Sequence, residues 1–521
     1  MNCRVPFALL ALFASSSACC LAAPADVGEE IPVGWLKWHL PKCASLEGDV
    51  LTVVVDAETK GMTTAWADID LSDCRDGFVA EIEASGEGIS QPPNPWLGFK
   101  FMMVYYDPAM KIMCYPGANG PHGSFSKRRF RLVDSFPNRT RQRAKLHLGI
   151  QSATGKAVFD LSTLKIRKSQ PAFKMFNADY KVKYPEAVRG RRLLRGVMSP
   201  VDPIEKDFAD LREWSATMMR YQMVRHTWGM SEKELLDLEA YRRWLDGRLE
   251  LLEKVLAWGE KYGIMVVVDL HAAPGAAVGG KGLRMFYDQK CMDEFFATWR
   301  RIATQFKGRR WIYGYDLINE PHHDDGVICD YLEVQRRAAE IVRGIDPDTT
   351  IIIESNAMCL PVTFGYLSPL AMDNVIYQVH MYNPGGFSHQ GVGSKEAAKD
   401  RPFYPDPAKG WDRDFLVNEL KPVADFARRH DAKIYVGEFS AIAWAPGADK
   451  WMEDCISIFE EYGWDWTYHA FREWPGWSVE HEGTDRNHMV PSSDNPRMRV
   501  LKRGLRGEVR AGVAAGRKEC P

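Results

Sequence analysis

Strong net charge is absent from this sequence of 521 residues. Its 67 Lys and Arg residues nearly balance its 69 Asp and Glu residues, which leaves a formal charge of -2 at pH 7. Proteins that bind polyanions usually carry a basic excess, so the composition gives no indication of a nucleic-acid partner or of an anionic membrane surface. A hydrophobic content of 45% and a charged content of 26% are typical of a globular protein.

Long hydrophobic runs are also missing, except at the N-terminus. An apolar run at residues 5–13 is followed by small residues up to positions 22–25, which is the pattern of a secretory signal and its cleavage site. The run is too short to be a convincing membrane span, and no later stretch resembles a transmembrane segment. We therefore predict that residues 1–23 are a signal peptide and that the mature protein is secreted or periplasmic. Lipid attachment at Cys19 or Cys20 is the weaker alternative, because the residues before them make a poor lipoprotein signal.

Cysteine does not occur in a pattern that would organise the fold. Removal of the signal would leave eight of the 11 cysteines. Their spacing is that of neither a disulfide scaffold nor a zinc site. Some of them could pair in an exported chain, and buried free thiols are an equal alternative. We predict no metal and no cofactor.

The N-terminal part has the rhythm of an all-β domain. A chain of this length exceeds what one hydrophobic core usually fills, so two folded units are expected. Short β-type runs such as 50–55, 78–83, 97–106 and 145–150 alternate with turn residues, and no long helical period interrupts them. This pattern predicts a β-sandwich over residues 27–170.

The remainder of the chain repeats a strand followed by a helix. Eight such strands predict a (β/α)8 barrel, the TIM barrel, over residues 190–510. A doubly wound open sheet is the alternative, but the first strand–helix turn lacks the Gly-rich phosphate loop of that fold. The strand-like runs are 193–199, 220–225, 264–271, 312–320, 350–355, 374–380, 433–438 and 464–471.

Two glutamates end predicted strands in short, distinctive contexts. Glu320 stands in Asn319-Glu320-Pro321 and Glu438 in Gly437-Glu438-Phe439. The carboxyl ends of barrel strands open onto one face, where such barrels keep their chemistry. Two carboxylates facing each other there can cleave a glycosidic bond. One protonates the leaving oxygen and later activates water, and the other attacks the anomeric carbon.

Other predicted strand ends carry functional side chains as well. Any one of them could be structural, because an Arg can end a strand in an ion pair and a lone His is more often a satisfied hydrogen-bonding residue. Six such ends on one barrel face are hard to explain by packing alone. In order they are Arg225, His271, the Asn319–Glu320 pair, His380 with Tyr382, Glu438 and Trp474.

Taken together, these motifs resemble glycoside hydrolase family five, the cellulase family. The resemblance covers about residues 190–507 and depends on Asn-Glu-Pro at 319–321, His-x-Tyr at 380–382, Gly-Glu-Phe at 437–439 and the late Trp474. It implies a retaining glycoside hydrolase that acts by double displacement. In that mechanism the glutamate of Asn-Glu-Pro is the acid/base and the glutamate of Gly-Glu-Phe is the nucleophile.

The resemblance also implies roles around the nucleophile. Arg225 would keep Glu438 ionised, Tyr382 would donate a hydrogen bond to it, and Asn319 would hold the sugar 2-hydroxyl. Such an asymmetry is what the chemistry requires, since the nucleophile must stay ionised while its partner keeps a proton. Among the remaining acids, Glu473 is the main competitor for the assignment.

Four further residues are implied to bind substrate. His271 and His380 would contact the substrate or the acid/base. Trp474 would form the floor of the central sugar subsite, and Trp477 would lie further out.

The substrate is less sharply defined. The segment 269–275 resembles members that act on glucan ends, including 1,3-linked glucans, so a β-1,4- or β-1,3-linked glucan polysaccharide or oligosaccharide is favoured over β-mannan. An exo-acting β-glucosidase of the same fold is a further alternative. Endo against exo cleavage depends on the shapes of loops 273–285 and 383–409, which sequence does not give.

The sandwich has two possible roles. It could bind carbohydrate through stacking of Trp35, Trp38, Trp66 or Trp96 on a sugar face, or it could only buttress the barrel, and the second role is slightly favoured. Two other classes of protein are also open. The chain could be a non-catalytic carbohydrate-binding protein, against which the full set of strand-end residues argues. It could also be a metal-dependent hydrolase that uses His271, His322, His323 and His380.

Overall fold

The structure is a computed structural model. The described residues divide into two compact units, one within 27–169 and one within 177–509. The predicted signal peptide, residues 1–23, and Trp96 lie outside the described residues. No helix in the described part of the chain is both long enough and apolar enough to cross a membrane. The described residues are 27–59, 63–71, 78–92, 97–106, 112–114, 117–119, 121–134, 143–169, 177–227, 229–278, 282–323, 327–392 and 401–509.

The N-terminal unit is built from antiparallel strands. Its described strands are β1 (Val27–Ile31), β2 (Ala44–Glu47), β3 (Val50–Val55), β4 (Thr64–Ile69), β5 (Phe78–Ile89), β6 (Gly98–Tyr106), β7 (Ile112–Cys114), β8 (Gly117–Asn119), β9 (Gly123–Asp134), β10 (Arg143–Gln151) and β11 (Gly155–Ser169).

These strands form two sheets that share one core. The first sheet has the order β2-β3-β11-β5-β9 with β1 on β11, and the second has the order β4-β10-β6-β7 with β8 on β6. Phe99 of the second sheet packs on Phe130 and Phe159 of the first, with ring centroids 4.6 and 5.1 Å apart. The all-β region that the sequence predicts before the barrel is confirmed.

The C-terminal unit alternates strands and helices. In chain order its elements are α1 (Glu186–Arg189), β12 (Arg195–Met198), α2 (Glu205–Glu213), β13 (Met218–Gln222), α3 (Glu232–Leu235), α4 (Leu238–Tyr262), β14 (Met265–Asp269), β15 (Ala277–Val278), β16 (Gly282–Leu283), α5 (Gln289–Phe306), β17 (Ile312–Asp316), α6 (Tyr331–Ile345), β18 (Ile351–Glu354), α7 (Asn356–Cys359), β19 (Val375–Met381), α8 (Gly385–Ser388), α9 (Arg413–His430), β20 (Ile434–Phe439), α10 (Ala448–Tyr462), β21 (Asp465–Tyr468), β22 (His481–Gly483), β23 (Met489–Pro491) and α11 (Pro496–Leu505).

Eight parallel strands close into a barrel, as the sequence predicts. Their order is β12-β13-β14-β17-β18-β19-β20-β21, with β21 pairing back to β12. The longest helix, α4, shows why the surrounding layer forms. Asp237 caps its first turn by accepting from the Ala240 N–H at 2.9 Å, and Gly263 ends it in the left-handed conformation with φ +72°. Its buried residues recur every three or four positions, so one face packs inward.

Side chains fill the barrel interior in layers, because every second residue of a strand points to the same side. The lowest layer is apolar and contains Met218, Val267, Tyr313, Ile352, Ile376 and Tyr435. Two residues further along four of these strands lies a fully buried polar layer of Arg220, Asp269, Glu354 and Gln378. A further step of two residues brings Gln222, His271 and His380 to the carboxyl ends of the strands.

Candidate active site

Two carboxylates meet at the carboxyl ends of the barrel strands. Glu438 belongs to β20, whereas β17 ends at Asp316 and places Glu320 in the loop that follows. One oxygen of each glutamate and one nitrogen of His380 all lie within 4.8 Å of one another. Glu438 is only 5% exposed, so its carboxylate is almost wholly removed from bulk water.

Arg220 lies at the centre of a buried charge cluster beneath this pair. Its Nη1 donates to Glu438 Oε1 at 2.6 Å and its Nε donates to Asp316 Oδ2 at 2.9 Å. Its Nη2 lies 3.1 Å from Glu354 Oε1 and 3.3 Å from Asp269 Oδ2. Four carboxylates therefore face one guanidinium in the barrel interior.

The cation beside the nucleophile candidate is therefore Arg220 and not Arg225, which the sequence motif suggested. Strand β13 begins at Met218, two residues before the predicted run, and ends at Gln222. This register turns Arg220 into the barrel, whereas Arg225 lies past the strand end with its guanidinium carbon 5.8 Å from the centroid of the Tyr241 ring. The only sequence feature that could have indicated Arg220 is its position two residues after Met218, which puts both side chains on the same side of the strand.

Glu438 is held as a carboxylate. Tyr382 donates its hydroxyl proton to Glu438 Oε2 at 2.7 Å. Burial works against ionisation, but the imidazoles of His380 and His469 and the guanidinium of Arg220 hold the pKa of Glu438 well below its usual range.

Two carboxyl groups of the cluster, those of Asp316 and Glu354, have raised pKa values. One guanidinium cannot balance four buried carboxylates, so part of the cluster stays protonated near neutral pH. Burial, opposed by Arg220, combines with the neighbouring Asp269 to raise the pKa of Asp316 to about 7. Burial and the nearby Asp316 raise the pKa of Glu354 well above its usual range.

Glu320 is fixed by its backbone and by its side chain. Its φ is +49°, in the left-handed region that non-glycine residues rarely adopt, and its N–H donates to Glu354 Oε2 at 2.7 Å. His380 Nδ1 lies 3.0 Å from Glu320 Oε1. Strained backbone of this kind costs of order 1–3 kcal/mol and is found mainly at functional sites. These contacts hold Oε1 of Glu320 beside His380.

Asn319 and His271 are brought to the same face. Asn319 Oδ1 accepts from Arg220 Nη2 at 2.9 Å, and its Nδ2 lies 3.3 Å from His271 Nε2. The other ring nitrogen of His271 lies 2.8 Å from Asp269 Oδ2. The sequence motif therefore identified residues that the fold does place beside the carboxylate pair.

The two tryptophans after β21 lie in an order that differs from the sequence expectation. Trp477 was expected further out, but it is only 2% exposed and packs on Tyr382 and His469, with centroids 6.4 and 5.5 Å away. Trp474 is 9% exposed and meets Trp477 edge-on at 6.1 Å. The reason is the tight turn at Gly476, where any Cβ would overlap the Trp474 ring.

His469 was missed by sequence reasoning. It follows β21 directly, and its Nδ1 lies 2.8 Å from the Tyr382 hydroxyl while its Nε2 lies 3.1 Å from Glu473 Oε2. His469 is therefore linked to Glu438 through the hydroxyl of Tyr382. No motif marks His469, because it stands inside the run 464–471, which is predicted as a single strand.

The histidines of the metal alternative do not converge within the described part of the chain. His323 Nε2 accepts from the Tyr331 N–H at 3.2 Å, and His322 Nδ1 lies 3.3 Å from the Glu320 carbonyl oxygen. The described groups with metal-ligand spacing both centre on His380 instead. They are Glu320–His380–Glu438 and Glu354–Cys359–His380. In both, the ring nitrogens of His380 are within hydrogen-bond distance of Glu320 and Gln378.

Three of the four described thiols in the C-terminal unit are buried, and Cys329 is half-buried. Cys291, Cys359 and Cys455 are free thiols in the protein interior, and Cys359 donates to the Gln378 carbonyl oxygen at 2.8 Å. For these three residues the structure agrees with buried thiols and not with disulfides.

Residues 185–473 match the family model described as Cellulase (glycosyl hydrolase family 5). The chain is 28% identical over 250 residues to Endoglucanase C of Acetivibrio thermocellus, which corresponds to 42% of this chain and 72% of that protein. It is 26% identical over 149 residues to the Probable glucan 1,3-beta-glucosidase A of Aspergillus fumigatus, 27% of this chain and 34% of that protein. The solved structure of Thermotoga maritima Cel5A in complex with cellobiose aligns at a TM-score of 0.47 and 21% identity, over 61% of this chain and 100% of that one.

Proposed function

The chain belongs to the cellulase family, glycosyl hydrolase family 5, and from this membership we propose that it is a retaining β-glucan hydrolase with Glu320 as acid/base and Glu438 as nucleophile. The observation that carries the residue assignment is the close approach of the two carboxylates. Their oxygens come within 4.8 Å, together with a ring nitrogen of His380. Retaining enzymes hold their carboxyl groups about 5–5.5 Å apart, whereas inverting enzymes leave about 6.5–9.5 Å for a water molecule.

In the first step Glu438 attacks the anomeric carbon while the bond to the leaving oxygen breaks. The proton of the Glu320 carboxyl group moves to that oxygen, so the leaving sugar departs as an alcohol. The cation Arg220 and the hydroxyl of Tyr382 keep Glu438 ionised before attack, which supports its role as nucleophile. His380 occupies only one oxygen of Glu320, which leaves the other for the proton that is transferred.

In the second step water replaces Glu438 on the anomeric carbon. Glu320, now a carboxylate, removes a proton from that water, and the electron pair of the broken bond returns to Glu438. The donors that held Glu438 ionised now stabilise it as a leaving group. Two inversions at one carbon give net retention of the β configuration.

A β-glucan is the proposed substrate because the names of matched relatives refer to glucans. One matched relative is named an endoglucanase and another a probable glucan 1,3-beta-glucosidase. We test this by incubating the enzyme with β-1,4-glucan, mixed-linkage β-glucan, β-1,3-glucan and β-mannan, followed by analysis of reducing ends and product lengths. Glucan cleavage several-fold faster than mannan cleavage supports the proposal, and preferential mannan cleavage would overturn it. Release of glucose alone would indicate exo action.

Trp474→Ala is expected to lower the maximal rate as well as the affinity. The sugar beside the cleaved bond must be held while its ring distorts, and an aromatic surface contributes to that binding. The expected loss in kcat/KM corresponds to about 1–3 kcal/mol of transition-state stabilisation. Steady-state kinetics on a soluble oligosaccharide measures it.

Trp477→Ala is the matched control for Trp474→Ala. Because Trp477 is packed on Tyr382 and His469, its removal should leave a cavity and destabilise the fold by about 3–5 kcal/mol. Its melting temperature should therefore fall more than that of Trp474→Ala. If Trp474→Ala leaves the rate untouched while a folded Trp477→Ala loses it, Trp477 forms the floor of the subsite.

We propose that the sandwich buttresses the barrel and does not bind sugar through its tryptophans. Trp66 has the His39 ring stacked 3.8 Å away and Lys145 Nζ 3.4 Å from its centroid, and two groups so close to one ring must cover opposite faces. Trp38 packs against the sandwich core. Among the described candidates this leaves Trp35, which is 50% exposed.

Trp35→Ala should leave binding to insoluble β-glucan within about twofold of the parent protein, because a single exposed ring makes a poor stacking platform. Deletion of residues 26–168 should instead lower the melting temperature or cause aggregation of the barrel. Pull-down on the polysaccharide and thermal unfolding measure the two effects. Loss of pull-down by Trp35→Ala, with hydrolysis of short substrates intact, would establish the carbohydrate-binding role.

We also propose that the protein is exported and that its signal peptide is removed. This proposal is supported by the apolar run at residues 5–13 and the small residues that follow it. Mass spectrometry of the mature N-terminus tests it, with cleavage between residues 22 and 25 as the supporting result.

A further inference from the structure

We propose that Glu473 and His469 form a positioning relay that directs the hydroxyl proton of Tyr382 onto Glu438. In this relay Glu473 holds His469 as an imidazolium, and the imidazolium donates to the Tyr382 oxygen. The inference rests on the proposed role of Glu438 as nucleophile and extends it to two residues that do not touch the reacting atoms.

The relay is a continuous line of short contacts. Glu438 Oε2 accepts from the Tyr382 hydroxyl at 2.7 Å, and the same hydroxyl oxygen lies 2.8 Å from His469 Nδ1. His469 Nε2 lies 3.1 Å from Glu473 Oε2, which also accepts from Gln222 Nε2 at 3.2 Å. The Tyr382–Glu438 contact is buried, and the contacts of His469 and Glu473 are part-buried, with side chains 12% and 19% exposed.

Counting protons along this line fixes the state of His469. Tyr382 has one hydroxyl proton, and the ionised Glu438 can only accept it, so the Tyr382 oxygen must receive its second hydrogen bond from His469 Nδ1–H. The opposite ring nitrogen faces the carboxylate of Glu473, which also only accepts, so Nε2 must carry a proton as well. Both nitrogens are therefore protonated, and the ring is a cation.

The surroundings of His469 favour this cation. Although burial opposes it, the carboxylates of Glu473, Glu438 and Glu320 raise the pKa of His469. Burial and the nearby His469 lower the pKa of His389 to about 3, so His389 stays neutral and adds no competing charge. The charged groups that raise the pKa of His469 are therefore carboxylates from β20, from the loop after β17 and from the segment after β21.

The relay matters because Tyr382 has an alternative partner. If His469 loses the proton on Nδ1, that nitrogen becomes an acceptor and competes with Glu438 for the Tyr382 hydroxyl. Glu438 then loses one of its donors, both as an ionised nucleophile and as a leaving group. The raised pKa of His469 means that this loss comes only as the pH rises.

Glu473→Gln is the test, because an amide can still accept from Nε2–H but supplies no charge. The pKa of His469 should fall in this variant, so the alkaline limb of kcat/KM should move to lower pH by about two units. Activity should stay within about threefold of the parent enzyme at pH 5 and fall at least about tenfold at pH 8. Glu482→Gln, an exposed carboxylate changed in the same way, should leave the profile in place.

A second measurement reports on the relay without turnover. In the parent protein with ¹⁵N-labelled histidine, both nitrogens of His469 should give imidazolium signals at pH 7, with the signal assigned by His469→Asn. In Glu473→Gln at pH 7 the ring should become neutral. Because this readout does not depend on Glu438 chemistry, a failed nucleophile assignment leaves it unchanged. Two results would overturn the relay. One is a neutral His469 in the parent protein at pH 7, and the other is an alkaline limb of kcat/KM that lies at the same pH in Glu473→Gln as in the parent enzyme.

Discussion

Glu438→Gln is expected to lower kcat at least about a thousandfold while the protein remains folded. The amide has nearly the volume of the carboxylate, so the packing around β20 is preserved. It cannot form the glycosyl–enzyme bond, however, and as a neutral amide it no longer matches the cation Arg220 and the hydroxyl of Tyr382, which both donate to Glu438. Steady-state kinetics and the melting temperature measure the two halves of the prediction, with Glu482→Gln as the control.

Small-nucleophile rescue then separates the roles of the two glutamates. With an activated aryl β-glycoside and azide, Glu438→Ala should give the α-glycosyl azide, because azide replaces the missing nucleophile in a single inversion. Glu320→Ala should give the β-glycosyl azide, because azide attacks the covalent intermediate in place of activated water. The opposite pair of products would show that the acid/base and the nucleophile are exchanged.

Arg220→Met is expected to destabilise the fold strongly. It removes the only guanidinium among four buried carboxylates, and loss of one partner of a buried ion pair typically costs about 3–5 kcal/mol. It also removes a donor from Glu438, so kcat/KM should fall at least about a hundredfold. Arg225→Met is the control, and its effect should stay below about 2 kcal/mol, the upper range for a partly desolvated cation–π contact.

The destabilisation by Arg220→Met should grow with pH. Asp316 already has a pKa of about 7 in the folded protein, above its usual unfolded value of about 3.9, so the folded chain binds the extra proton. Stability therefore falls as the pH rises between these two values. Without Arg220 the folded pKa values of the cluster rise further, so the loss of stability should be smaller at pH 5 than at pH 8. Denaturant unfolding at both pH values measures it, and an equal loss at both would contradict the electrostatic explanation.

The architecture could be predicted because a (β/α)8 barrel repeats a local pattern of one strand followed by one helix. Each strand is a short apolar run that precedes a helical period, and each glutamate proposed as catalytic stands at the end of such a predicted run in a distinctive tripeptide. The positions of Asn319, Glu320, His380 and Tyr382 around Glu438 follow from strand ends meeting on one face.

The sequence did not predict the positions of polar residues that the fold places against the usual preference of their type. Arg220 is fully buried in β13, and no local pattern predicts that an arginine belongs inside a barrel, since its partners come from four other strands. The same holds for His469, whose partners are Tyr382 and Glu473. The partners of Arg220 and the Tyr382 partner of His469 are distant in sequence, and such contacts leave no trace in the residues beside them.

Which of Trp474 and Trp477 is the more buried could not be predicted from the sequence, for a different reason. Both follow β21 in a loop, where neither a helical nor a strand period indicates which way a side chain points. The turn at Gly476 decides it, because only the absence of a Cβ lets the Trp474 ring pack against that position.

The anomeric form of the first product tests the central claim most directly. Proton NMR during hydrolysis of a soluble β-glucan oligosaccharide distinguishes the two anomers before they equilibrate. Double displacement by Glu438 and Glu320 predicts that the β anomer appears first and that the α anomer grows in only by mutarotation. The α anomer as the first product would show single displacement, and it would contradict the retaining mechanism proposed for this pair of carboxylates.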